Sequence, residues 1–236
     1  MLPTAEEWEI LRLSLRVAFW SVLVSLPVAV AVAYTLARSN FPGKTLFDAT
    51  VHLPLVLPPV VVGYLLLLLF GRRGPVGAWL EEWFGIVFAF RWTGAALAAG
   101  IMGFPLMVRA VRLSFESIDR KLEAAASTLG AGRAGVFLTI TLPLALPGII
   151  TGVLLSFARS LGEFGATITF VSNIPGETRT LPLAIYTYTQ TPTGDEAAMR
   201  LSVIAVLLSL AALYVSEVMV RRATRRIAGE DALGPH

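Results

Sequence analysis

The chain has 236 residues, of which 56% are hydrophobic and only 15% charged, and its mean hydropathy is +0.73. Soluble domains carry about a quarter charged residues, so this balance points to lipid as the main solvent and excludes an ordinary water-soluble domain. Without cysteine, and with two distant histidines, His52 and His236, the chain has no disulfide, no thiol chemistry and no zinc site to offer, and a net charge of +3 says little about partners.

The opening, MLPTAEEWEILRLSLR, is acidic where a cleaved leader wants a positive start, so the first span is expected to be retained. Residues 17–37 and 51–70 carry no charged side chain. Each run is about 20 residues, which at about 1.5 Å per residue crosses a hydrocarbon core of about 30 Å. Only helices and closed barrels satisfy the backbone there, and neither run alternates as a barrel strand would. Both are therefore membrane helices. Between them, FPGKT at 41–45 hints at a phosphate loop. The pattern G-x-x-x-x-G-K-[ST] needs glycine where Arg38 stands, and the loop should follow a strand rather than a membrane helix. It reads as the turn closing span 1, and the chain is expected to hydrolyse nothing itself. Pro58 and Pro59 in span 2, and Pro105 in span 3, break the backbone ladder, as fixed kinks or as hinges.

Residues 78–92, AWLEEWFGIVFAFRW, mix aromatic and acidic side chains as an interfacial helix would, with Trp79, Trp83 and Trp92 at headgroup level. Span 3 covers about 92–110 and leads into the segment 117–143. There Asp119 is a suitable N-cap for a helix of about 120–129, with Gly130 supplying the left-handed residue after it. Leu122, Ala125, Ala126 and Leu129 share a face, with Glu123 beside it. That stripe is too small to anchor the helix in lipid. It suits docking into a groove on another protein, or a plain link between two spans.

Span 4 admits two frames. The uncharged run there is 134–158, whereas Gly148, Gly152, Ser156 and Ser160 recur every four residues as a stripe that lets helices approach closely. The stripe favours 147–171 and leaves Arg159 and Glu163 near mid-span. Charges buried in a membrane cost about 2.5–3.5 kcal/mol each, so these two should pair or face a polar cavity. Four residues apart on a helix, they reach each other. They form a structural ion pair or part of a gate. Residues 181–191, LPLAIYTYTQT, are too short to span and read as half-buried; a crossing there would move the N-terminus to the other side. Span 5 covers about 201–220.

Basic residues set the orientation. Arg38, Lys44, Arg109, Arg112, Arg120, Lys121, Arg133, Arg221, Arg222, Arg225 and Arg226 fall on one side. The smaller set, Arg12, Arg16, Arg72, Arg73, Arg91, Arg179 and Arg200, falls on the other among several glutamates. The positive-inside rule puts the C-terminus and 109–143 in the cytoplasm and the N-terminus outside.

The stretch EAAASTLGAGRAGVFLTITLP, from Glu123 to Pro143, resembles the cytoplasmic EAA signature of ABC-importer permeases, in which a glycine is followed after nine residues by I-x-L-P. Gly130, Ile140, Leu142 and Pro143 fit without a gap; the strict pattern's glutamate position falls on Ala124, with Glu123 one residue earlier. HLPLVLPPVVVGYLLL (52–67) and SFARSLGEFGATITFVSNIPGETRTLP (156–182) are similar to the permease subunits of molybdate importers, with sulfate and thiosulfate permeases the nearest relatives by pattern.

The resemblance implies an all-α type I ABC-importer permease fold, a single transmembrane domain over 1–236 with five to six spans. It implies a homodimer in a bacterial inner membrane, two cytoplasmic ABC ATPase subunits, and an extracytoplasmic oxyanion-binding protein. ATP and magnesium belong to the ATPase; no cofactor or metal is expected on this chain, and no nucleic acid. Coupling to the ATPase is expected at Glu123, Ala124, Ala125, Leu129, Gly130, Ile140, Leu142 and Pro143. Alternating access for a dianion calls for weak donors along the path. Ser156, Ser160, Thr167 and Thr169 with Arg159 and Glu163 are candidates, although membrane Ser and Thr often bond their own backbone instead. A stand-alone secondary transporter or channel is the alternative of another class, against which stands the lack of a visible inverted repeat.

Overall fold

The computed structural model describes residues 4–228, and every regular element among them is helical. Helix α1 (Ala5–Arg38) starts on a capping box in which the Thr4 hydroxyl accepts from the Glu7 N–H and Glu7 accepts from the Thr4 N–H. The cap sets the start well before residue 17, because the polar first turns are held by packing and not by lipid. After Gly43, in the left-handed conformation at φ 84°, come α2 (Lys44–Val56) and α3 (Pro59–Phe70).

Span 2 is not one rod. The axes of α2 and α3 differ by 112°. A residue preceding proline is pushed out of the helical region. Leu57 precedes Pro58 and Pro58 precedes Pro59, and both are extended, with ψ of 142° and 132°. The bent pair still crosses: Asp48 near its start bonds Arg112 towards the end of α5 (Trp92–Ser117), and Phe70 at its finish packs edge-on to Phe88, just before α5 begins. Between them α4 (Pro75–Phe84) leaves Trp79 and Trp83 exposed, as an interfacial helix requires.

Helix α5 is the central post. One core gathers Val62, Leu66, Phe170 and Val171 around Ala95–Met102, and a second gathers Val22, Ala29, Leu36, Ala145 and Ile149 around Met107–Phe115. After α6 (Arg120–Thr128), α7 (Arg133–Val136), a π-helical turn (Phe137–Thr141) and α8 (Leu142–Leu161) form one continuous span. Its small-residue stripe lies on α5. A Cβ on Gly148 would sit 2.2 Å from Cβ of Ser114, one on Gly152 3.0 Å from the Met107 carbonyl, and Ser156 faces Gly103.

The fourth span therefore starts earlier than the stripe suggested and breaks at Gly162–Phe164, resuming as α9 (Gly165–Val171). Glu163 folds back so that its carboxylate accepts from the Ala166 N–H at 2.8 Å, which caps the new helix. Helix α10 (Leu181–Thr189) has 9 residues and is no crossing. Helix α11 (Asp195–Ala228) is the last span; the side chains of Arg225 and Arg226 lie outside the described residues. Among the described residues four helices are long and apolar enough to cross, and the bent α2–α3 pair makes five.

Candidate functional site

Two regions hold the polar chemistry that a pathway and its drive would need. At the first, Asp119 accepts from the Lys121 N–H at 2.9 Å and opens α6. The helix closes on Gly130 at φ 92°, with the Ala131 N–H returning to the Ala126 carbonyl. None of its residues is buried; Leu122 is half exposed and Leu129 is 90% exposed. Ala124 and Ala125 are exposed as well. Among the described residues nothing covers the apolar face of this helix.

Glu123 turns the other way. Its carboxylate accepts from the Arg38 guanidinium at 3.0 Å and from the Thr141 hydroxyl at 2.8 Å. Ile140, Leu142 and Pro143 are not on α6 at all. Ile140 lies in the π-helical turn, and Leu142 and Pro143 open α8. Proline has no N–H to give the carbonyl four residues back, and next to it the Leu142 N–H reaches Phe137, five residues back, which is the π geometry. The I-x-L-P part of the motif thus shapes the joint between α6 and α8.

The second region lies towards the α5 N-terminal end of the bundle. Ser160 bonds Ser21 at 3.0 Å and the Ala99 carbonyl at 3.3 Å, so the end of α8 lies within the first turns of α5. There Arg159 pairs with Glu163 at 2.7 Å; Glu163 is buried while the Arg159 side chain is 28% exposed. The break before α9 faces the break before α3: a Cβ on Gly165 would lie 2.7 Å from Pro59, and one on Gly63 2.5 Å from the Ala166 carbonyl. The half-helices α3 and α9 therefore run parallel, starting side by side inside the membrane. Discontinuous helices of this kind recur at transporter sites.

The hydroxyls divide. Ser156, Ser160 and Thr167 are buried within the chain's own bundle. Thr169 is half-buried and donates to the Gly165 carbonyl at 2.9 Å. Arg159 and Thr169 retain surface to offer; Ser156 and Ser160 are packing residues between α8, α5 and α1. No cluster of three or more metal-ligating side chains occurs among the described residues.

Sequence reasoning missed Arg38 and Thr141 as the partners of Glu123. It also missed the ladder in which Arg112 bridges Asp48 at 2.9 Å and Glu116 at 2.7 Å, with His52 beside Asp48. Arg38 was visible as the last basic residue of span 1, but its partner lies 85 residues on. At the other end, Arg200 holds buried Glu7 at 3.0 Å, Arg179 reaches Glu6, and the Leu181 N–H donates to Ser14, so α1, α10 and α11 are tied together.

Comparison with known proteins agrees with this arrangement. Residues 25–229 match the family described as the binding-protein-dependent transport system inner membrane component. The chain is 61% identical to the molybdenum transport system permease protein ModB of Escherichia coli (strain K12) over 226 residues, covering 96% of this chain and 99% of that one. The ModB protein of Haemophilus influenzae is 57% identical over 217 residues, 92% of this chain and 95% of its own. The sulfate transport system permease protein CysT of Escherichia coli is more distant, 36% identical over 234 residues, 95% and 84% of the two chains. Among solved structures, a bacterial alginate ABC transporter in complex with a periplasmic protein bound to an alginate pentasaccharide superposes with a TM-score of 0.74 at 18% identity, over 94% of this chain and 81% of that one. The exposed helix α6, the broken crossings and these matches together place the chain in the binding-protein-dependent inner membrane component family, with the fold of a type I ABC-importer permease.

Proposed function

We propose that this chain is the membrane-spanning subunit of an ATP-driven molybdate importer, working as a homodimer with two ABC ATPase subunits on the cytoplasmic side and an extracytoplasmic oxyanion-binding protein. The observation that carries the substrate is the 61% identity to a molybdenum permease over nearly the whole of both chains. The uncovered apolar face of α6 supports an ATPase docking there, and the basic residues at that end of the bundle support its cytoplasmic placement.

In this reading ATP binding closes the motor, α6 moves with it, and the spans rock to open the path outward. Charge on a dianion must be balanced within the bundle without trapping it. Arg159, already half neutralised by Glu163, is the cation poised there; Thr169 becomes a neutral donor only by releasing the Gly165 carbonyl. The half-helices α3 and α9 start at this level and form the part of the wall that moves.

The test is reconstitution of the chain with its neighbouring ATPase and binding protein in proteoliposomes. ATP-dependent accumulation of molybdate, undiminished by excess sulfate, is the expected result. Preferential sulfate uptake would overturn the substrate, and uptake driven by an ion gradient without any ATPase would overturn the mechanism.

A further inference from the structure

Helix α6 has one side chain that bonds beyond its own helix among the described residues, and it is Glu123. Oε1 takes both bonds, from Arg38 at the last turn of α1 and from Thr141 at the last position of the π-helical turn. The Arg38 side chain is 9% exposed and also donates to the Ile118 carbonyl, two residues before α6 begins. One guanidinium thus holds both the entry and the first turn of α6. Thr141 is 1% exposed, so the hydroxyl comes from inside the bundle. One turn further in, Tyr34 lies edge-on to Phe115 at 5.4 Å and to Phe137 at 5.0 Å, which packs α1, α5 and the π-helical turn into one joint.

Leu122, Ala125 and Leu129 face outward and Glu123 faces the bundle, so the two faces of the helix have different work. We propose that Glu123 is a positioning residue acting inside the permease: it carries displacement of α6 to α1 and α8 through Arg38 and Thr141, while docking falls to Leu122, Ala125 and Leu129. The proposal rests on the reading of α6 as the helix on which the ATPase docks. Charge-assisted hydrogen bonds, partly withdrawn from water, suit a link that must carry load without slipping. The connecting segments on either side of α6 are short, so without the clamp the helix can tilt about its ends and leave α1 and α8 in place.

The test uses the full complex of permease, ATPase and binding protein in proteoliposomes, with three readouts: ATPase co-purification, ATP hydrolysis, and molybdate taken up per ATP. Glu123→Gln and Arg38→Gln should each leave co-purification intact and lower uptake per ATP about tenfold, and the double variant should be no worse than either single one, since both remove one linkage. Glu123→Asp should recover part of the loss. Thr141→Val, which keeps the ion pair and removes only the second arm, should give a smaller loss of the same kind and serves if a charge variant fails to insert. Loss of co-purification with Glu123→Gln would overturn the proposal by making Glu123 a motor contact. Multiplying effects in the double variant, an unchanged ratio, or hydrolysis and uptake falling in proportion would overturn it as well. A separate arm, Leu129→Asp, addresses the docking reading: if the ATPase still co-purifies with that variant, α6 is not the docking helix, whatever Glu123 does.

Discussion

Single glycines decide how closely the spans approach. Gly148, Gly152 and Gly103 sit where a side chain would meet another helix, whereas a Cβ on Gly132 would meet nothing within 4 Å. Gly148→Val is therefore expected to lower stability by about 1–3 kcal/mol, the usual cost of overpacking, and Gly132→Ala to change little; thermal midpoints in detergent measure both. The stripe of small residues that forms this contact was legible because its four-residue period is local. The Arg159–Glu163 pair was legible for the same reason. Glu123 with Arg38 was not, because no local pattern links residues 85 apart, and the choice between an outward and an inward glutamate depends on how α1 and α8 converge.

At the scale of elements, caps were read well and breaks were not. Asp119 and Gly130 bounded α6 in the sequence much as they do in space, since each acts on the backbone next to it. Span 2 looked unbroken because a run of apolar residues says nothing of direction; the bend arises from Pro58 and Pro59, which the sequence marks as kinks or hinges without giving an angle. The break in span 4 comes from Gly162 and from the capping carboxylate of Glu163, whose target, the Ala166 N–H, becomes free only once the chain has turned. Replacing both prolines, Pro58→Ala with Pro59→Ala, should straighten the pair and part α3 from α9. Uptake is then expected to vanish while the ATPase still co-purifies; undiminished uptake would show that the bend is dispensable.

For the molecule as described, five crossings put the start of α1 and the end of α11 on opposite sides, and the distribution of Lys and Arg predicts which side is cytoplasmic. The absence of native cysteine allows a direct check. Single cysteines at Leu129 and at Trp83, both well exposed, are expected to react with a membrane-impermeant maleimide from opposite sides, Leu129 only from the cytoplasm. Labelling of Leu129 from outside would reverse the topology. Helix α11, whose apolar residues Leu207, Leu210 and Leu213 are exposed, leaves ample surface for lipid.

The 34 residues of α1 rise about 51 Å, roughly 20 Å more than the oily interior needs. If Arg38 lies at the cytoplasmic face, as the positive-inside rule proposes, that surplus passes through the opposite headgroup layer and ends above it as a parapet, braced by Glu7 on Arg200 and Ser14 on Leu181. Ionic fields from charged lipid fade over about 8 Å in physiological salt. Under the proposed function, a doubly negative cargo released at the top of such a wall would enter the protein before it felt the repulsion of the membrane around it.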